Sequence, residues 1–288
     1  MQKNQRNRNP WFLLIFGLTL LIPNRGQTQA GTLFIIGGGQ RPPELIRDLI
    51  QTAQLNQPDR QAVILPMSSS QPDTAAFYAI RQFTQQGLPP EKFSTVQIDS
   101  GQTPSAAQIQ AIVNADLIYL TGGDQRRFMT AIAGTPIRDK IREAYQKGAV
   151  VAGTSAGAAL MSQHMLTGDE RKHPEYTGAF RTVESENMIL KPGLGLLPEA
   201  VVDQHFIWRM RFNRLLSVIA EHPALIGLGI DESTAVVLHD GQARVSGVGQ
   251  VIVLRNTDGQ FRSENGLLGS RNMQLDLLLP GETFLLKP

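Results

Sequence analysis

The 288-residue chain contains no cysteine. That excludes disulfides, thiolate metal sites and a cysteine nucleophile, and it suits an exported protein that relies on its core alone. No apolar run reaches the roughly 20 residues that a membrane span needs. Residues 11–22 come nearest, and Pro23, Asn24 and Arg25 end them. Lys3, Arg6 and Arg8 precede that run, and Thr28, Gln29 and Ala30 follow it with small cleavage-site residues. Residues 1–30 therefore read as a signal peptide cut after Ala30, leaving residues 31–288 as one domain of a secreted or periplasmic protein with no membrane attachment. A basic excess is missing too. Without the leader's Lys3, Arg6, Arg8 and Arg25, 23 basic groups face 25 acidic ones, so no nucleic-acid partner is expected. His164, His173 and His222 lack metal-ligand spacing, and neither a metal nor a cofactor is expected. Gly37-Gly38-Gly39 lacks the spacing of a dinucleotide fingerprint, with Pro42 and Pro43 where phosphate-facing amides would be needed.

What is present alternates. Apolar runs at 32–36, 61–65, 94–98 and 116–120 read as strands, and residues 42–56, 73–86, 105–114, 126–133 and 136–147 carry helical periodicity. Continuous apolar strands between helices predict an α/β fold, a mostly parallel sheet covered by helices on both faces. Further strands are expected at 200–202 and 225–230, and a helix from Arg209 onward. Residues 235–238, 242–245 and 250–254 read as an antiparallel meander, with edge strands in the tail. Residues 168–185 are polar and mixed, a surface excursion.

In such sheets ligands bind beyond the carboxyl ends of the strands, and three ends carry chemistry. Residues 149–160 run from an apolar strand through Gly153-Thr154-Ser155-Ala156-Gly157 into a helix-forming segment. A serine on that turn takes strained backbone angles, flanked by glycines that remove clashes, and stands out as a nucleophile. The Ala156 N–H, at the helix mouth, can face an oxyanion, and Gly123 in Thr121-Gly122-Gly123-Asp124-Gln125 can supply a second donor. His205 follows a strand end and is placed as general base. Asp231 and Glu232 follow another, and either could be the third member. The order Ser155, His205, acid differs from that of an α/β-hydrolase. Arg209, Arg211 and Arg214 form either a solvated helix face or a carboxylate-binding set.

These segments together, with Asp203-Gln204-His205-Phe206 and Asp231-Glu232-Ser233-Thr234-Ala235, resemble the motif series of cyanophycinases. Those are serine exopeptidases related in fold to aspartyl dipeptidase and class I glutamine amidotransferases. The resemblance covers roughly residues 31–260. It implies a Ser155-His205-Glu232 triad, an oxyanion hole from Gly123 and Ala156, and substrate contacts from Gln125, Asp203, Gln204, Arg209, Arg211 and Arg214. It further implies a homodimer and the substrate cyanophycin, a polyaspartate with arginine on each β-carboxyl, released as β-Asp-Arg. A substrate guanidinium needs an acidic partner such as Asp203, and Trp208 is a candidate surface for stacking on one. Two other readings fit the same residues: a peptidase of short aspartyl peptides, and a binder of acidic peptides without turnover.

Overall fold

A computed structural model describes residues 31–175 and 177–286; the expected leader, residues 1–30, lies outside them. Chain order is β1 (Thr32–Ile36), α1 (Pro43–Thr52), β2 (Ala62–Leu65), α2 (Pro72–Thr84), β3 (Phe93–Thr95), α3 (Ala106–Val113) and β4 (Leu117–Leu120). There follow α4 (Gln125–Ala131), α5 (Ile137–Gln146), β5 (Val150–Thr154), α6 (Ala156–Ala159), β6 (His164–Glu170), β7 (Met188–Pro192), β8 (Ala200–Gln204) and α7 (Phe212–Glu221). The chain continues with β9 (Ile226–Ile230), β10 (Thr234–His239), β11 (Gln242–Gly247), β12 (Val251–Asn256), β13 (Arg262–Glu264), β14 (Leu267–Gly269), β15 (Met273–Leu278) and β16 (Thr283–Leu285).

The main sheet has eight strands in the order β16-β11-β10-β1-β5-β4-β2-β3. The five from β1 to β3 in that order are parallel, while β10, β11 and β16 extend the sheet beyond β1, each antiparallel to the strand before it. Period-two alternation divides its side chains. Phe34 and Ile36 face α1 and α2, where Leu45, Ile46, Leu49 and Phe83 are buried; Leu33 and Ile35 face α3, α4, α5 and α6. The helices form where the sequence supports them: α1 and α2 begin on Pro43 and Pro72, and α3 carries a reciprocal capping box between Ser105 and Gln108.

Two expectations are corrected. The C-terminal strands do not form one meander. β10 and β11 stay beside β1, but β12 leaves to join a second sheet of order β15-β12-β9-β8. The crossing is short: the Val248 N–H donates to Ser233 O at 3.1 Å and the Gly249 N–H to Thr234 Oγ1 at 2.8 Å, which turns the chain away before it can pair again with β11. Gly249 is needed there because a Cβ would lie 2.6 Å from Thr234 Oγ1. The second sheet packs Ala200, Val202, Leu228 and Val253 onto the first, while Val201 and Leu254 face α7. The other correction is to the arginine run: α7 begins at Phe212, so Arg209 and Arg211 precede it. Met210, with φ +50°, breaks any helical path through them. The polar excursion contains a ribbon, β6 against β7, and among the described residues no helix is long and apolar enough to cross a membrane.

Candidate active site

β5 ends at Thr154 and α6 starts at Ala156, leaving Ser155 alone between them with φ +55° and ψ −116°. The angles are unfavourable for a side-chain-bearing residue, and close packing enforces them. A Cβ on Gly153 would lie 2.3 Å from Gly157 O, and one on Gly157 2.3 Å from Leu120 O. Strand and helix therefore meet backbone to backbone. The Ser155 N–H is fixed on Ile36 O at 3.0 Å.

His205 and Glu232 follow β8 and β9 of the second sheet, so the site sits where the two sheets meet rather than along one edge. The triple glycine after β1 joins them. Gly37 O accepts from the His205 N–H at 2.8 Å and Gly38 O from the Ser233 N–H at 2.8 Å. A Cβ on Gly38 would lie 2.3 Å from the imidazole Cε1, and one on Gly39 2.6 Å from Glu232 Oε2. These glycines are the surface against which the imidazole and carboxylate rest. Their composition was visible in the sequence, but their use was not.

The side chains then form a line. Ser155 Oγ is 2.8 Å from His205 Nε2, and His205 Nδ1 is 2.6 Å from Glu232 Oε1. Asp231 faces elsewhere: its Oδ1 accepts from the Ile207 and Trp208 N–H groups at 3.1 and 2.9 Å and pins the loop after His205. Burial lowers the pKa of His205 below that of an ordinary histidine; the Glu232 hydrogen bond opposes this, and the Arg209 and Arg211 charges add to it. A neutral imidazole bonded to a serine hydroxyl is suited to remove its proton. The Gly123 and Ala156 N–H groups donate to no acceptor among the described residues. Gly123, at φ +137°, leaves no room for a side chain, since a Cβ there would lie 2.1 Å from Ser68 O.

Ser155 opens into a cavity of about 370 Å³ whose wall includes Gln125, Gln204, Arg209, Arg211 and Arg214. Arg211 and Arg214 are 4% and 3% exposed, so their orientations are set by neighbours. Arg211 Nη1 donates to Gln204 O at 2.7 Å and to Gln204 Oε1 at 2.5 Å. Arg214 grips both oxygens of Asp203, from Nε at 2.6 Å and from Nη2, with its guanidinium 4.7 Å above the Phe180 ring. Asp203 is itself fully buried and does not line the cavity, so the expectation that it meets a substrate guanidinium is corrected: its two oxygens hold Arg214 in place. Gln125 Nε2 donates to Leu166 O and Thr167 O, fixing β6 over the cavity.

A fourth cation in the wall escaped the sequence reading. Arg126 bridges Asp124 and Asp169, with Nη1 2.7 Å from Asp169 Oδ2. Burial pushes the Asp124 carboxyl up, but hydrogen bonds from the Arg126 side chain and backbone outweigh this and hold it below its usual range. The pairing depends on β6 returning over the sheet, which no local pattern foretells. Trp208 is 73% exposed.

Residues 33–246 match peptidase family S51. Cyanophycinase of Trichormus variabilis is 33% identical over 269 residues, covering 90% of this chain and 86% of the relative. That of Geminocystis herdmanii is 35% identical over 210 residues, covering 71% and 72%. Among solved structures, a peptidase from an acI-B1 Actinobacterium superposes with a TM-score of 0.61 at 21% identity, covering 90% of this chain and 98% of the other. A putative peptidase E protein from Listeria monocytogenes gives 0.50 at 16% identity, covering 76% and 100%, and these two likenesses bear on the fold. With the match spanning most of the domain and two relatives above 30% identity, the chain belongs to peptidase family S51 and is a serine peptidase.

Proposed function

We propose that the chain hydrolyses cyanophycin to β-Asp-Arg dipeptides through Ser155, His205 and Glu232. Ser155 Oγ attacks the scissile carbonyl carbon as His205 Nε2 takes its proton, and Glu232 holds the resulting imidazolium. The carbonyl oxygen, now anionic, faces the Gly123 and Ala156 amides. Collapse breaks the C–N bond, His205 returns the proton to the leaving nitrogen, and an ester on Ser155 remains. Water, deprotonated by His205, then releases the acid and restores the serine. The observation that carries this reading is the hydrogen-bonded line of Ser155, His205 and Glu232, at 2.8 and 2.6 Å, opening into an arginine-walled cavity. Cyanophycin units carry free carboxylates on their arginines, and guanidinium forks are suited to hold them. Export by residues 1–30 belongs to the same proposal, and the enzyme would then meet polymer outside the cell.

Purified residues 31–288 incubated with insoluble cyanophycin should release β-Asp-Arg, read by mass spectrometry. Ser155→Ala should lose about 10⁵-fold or more in rate with its fold intact. Cleavage of α-aspartyl dipeptides without attack on the polymer would replace the substrate and keep the mechanism. Tight binding of acidic peptides with no turnover would reject the triad.

A further inference from the structure

A second cavity, of about 210 Å³, opens on the other side of Ser155. Its position assigns it a part in the reaction. His205 lines it and does not line the arginine cavity, whereas Gly123 lines the arginine cavity and not this one. Because His205 must hand its proton to the departing nitrogen, the leaving group lies on the His205 side and the acyl group on the other.

The lining tells what that leaving group carries. Tyr119, Thr121 and Thr154 are 1%, 4% and 5% exposed, and their buried hydroxyls have no hydrogen-bond partner among the described residues. Three such groups in one small cavity are costly unless a ligand satisfies them. All three can donate. Arg41 is the charged partner in the lining, and no carboxylate faces it there. Its guanidinium is already oriented: Nε donates to Gln82 Oε1 at 2.5 Å and Nη1 to Gly39 O at 3.2 Å. A cation beside hydroxyl donors suits a carboxylate. Ala75 and Ala79 of α2 close one wall, and the volume falls below the range of larger ligand sites, so the cavity suits a terminal carboxylate and the atoms next to it rather than a continuing chain.

We propose that this cavity recognises the backbone carboxylate of the unit being released, with Arg41 the residue that selects it. The inference rests on the peptidase reading for its direction, and it gives the exopeptidase mode implied by the resemblance a residue that would enforce it. The test compares a dimer of β-Asp-Arg with the same dimer amidated at its backbone carboxyl, by calorimetry on Ser155→Ala and by kcat/KM on the active enzyme.

Ser155→Ala should bind the free acid about 10–100-fold more tightly than the amide, the effect of one charge-assisted pair. Adding Arg41→Gln should bring the ratio close to one, and Arg41→Lys should restore part of it. Tyr119→Phe and Thr121→Val, which leave Arg41 in place, should each lower the ratio a few-fold. Equal binding of acid and amide, or a preference that survives Arg41→Gln, overturns the proposal. An active enzyme without carboxylate preference would sink the subsite alone. A carboxylate preference lost with Arg41, in a protein that turns over nothing, would sink the peptidase reading and keep the recognition.

Discussion

Glu232 and Asp231 are adjacent carboxylates with separate duties, so substitutions at the two should differ in kind. Glu232→Gln keeps the shape but offers no charge to an imidazolium, and kcat should fall on the order of 10²–10⁴-fold with little change in thermal stability. Asp231→Asn weakens the two bonds to the Ile207 and Trp208 N–H groups, so its main effect should be a melting temperature lower by several degrees. Thermal unfolding and kcat, measured together on both variants, check the division; a Glu232→Gln enzyme of full activity would reject it. The histidine gives a second handle. Attack requires neutral His205, and its pKa is lowered, so activity should persist to a lower pH than an ordinary histidine allows. Arg209 contributes to that lowering, so Arg209→Gln should move the acid limb of the kcat/KM profile up in pH. A limb that stays or moves down would show that the Arg209 charge does not act on the imidazole.

At the scale of elements, the pair between β8 and α7 is the sharpest case. Asp203→Asn would leave Arg214 buried beside a neutral amide, which costs about 3–5 kcal/mol. Replacing both residues with apolar ones of similar volume, Asp203→Leu with Arg214→Met, should cost less stability than Asp203→Asn alone, and urea unfolding of the variants measures it. Single and double variants of equal stability would mean that the pair contributes little. This pair also marks how far the sequence could be read. The strands of the parallel half and α1, α2, α3, α4 and α5 followed from periodicity to within a few residues, because each buries one local face. The turn around Ser155 was visible for the same reason: small residues at 153 and 157 report a contact made within the segment. What could not be read depends on distant chain. β12 looks like the next strand of a hairpin and becomes part of another sheet because Thr234 and Ser233 capture residues 248 and 249. Asp203 looks like a strand-end carboxylate open to substrate, and only the return of α7 reveals Arg214 against it. The glycines at 37–39 showed only that a dinucleotide fingerprint was absent; their support of His205 and Glu232 depends on chain far away in sequence.

The whole molecule brings its charge into contrast with its site. Residues 31–288 carry 23 basic and 25 acidic groups, yet Arg126, Arg209, Arg211 and Arg214 converge on one cavity next to Ser155. Asp203 grips Arg214 and lies 3.9 Å from Arg211 Nη1, and Asp124 and Asp169 flank Arg126, so four arginines against three aspartates leave a net charge of only plus one there. A positive patch in a weakly acidic molecule acts at short range, and salt screens it once the Debye length falls below the cavity's own dimensions, from about 10 Å at 0.1 M to about 3 Å at 1 M. For a soluble peptide with a net negative charge, kcat/KM should therefore fall by roughly 3–10-fold as salt rises from about 0.02 to 0.5 M, with kcat nearly constant. For uncapped β-Asp-Arg oligomers, whose repeating units are zwitterions, the fall should be smaller, since the guanidinium of each unit opposes its carboxylate. Initial rates on both substrates across that range separate the two expectations. Equal salt dependence would mean that the cavity does not sense net charge, and that its arginines act through directed hydrogen bonds alone.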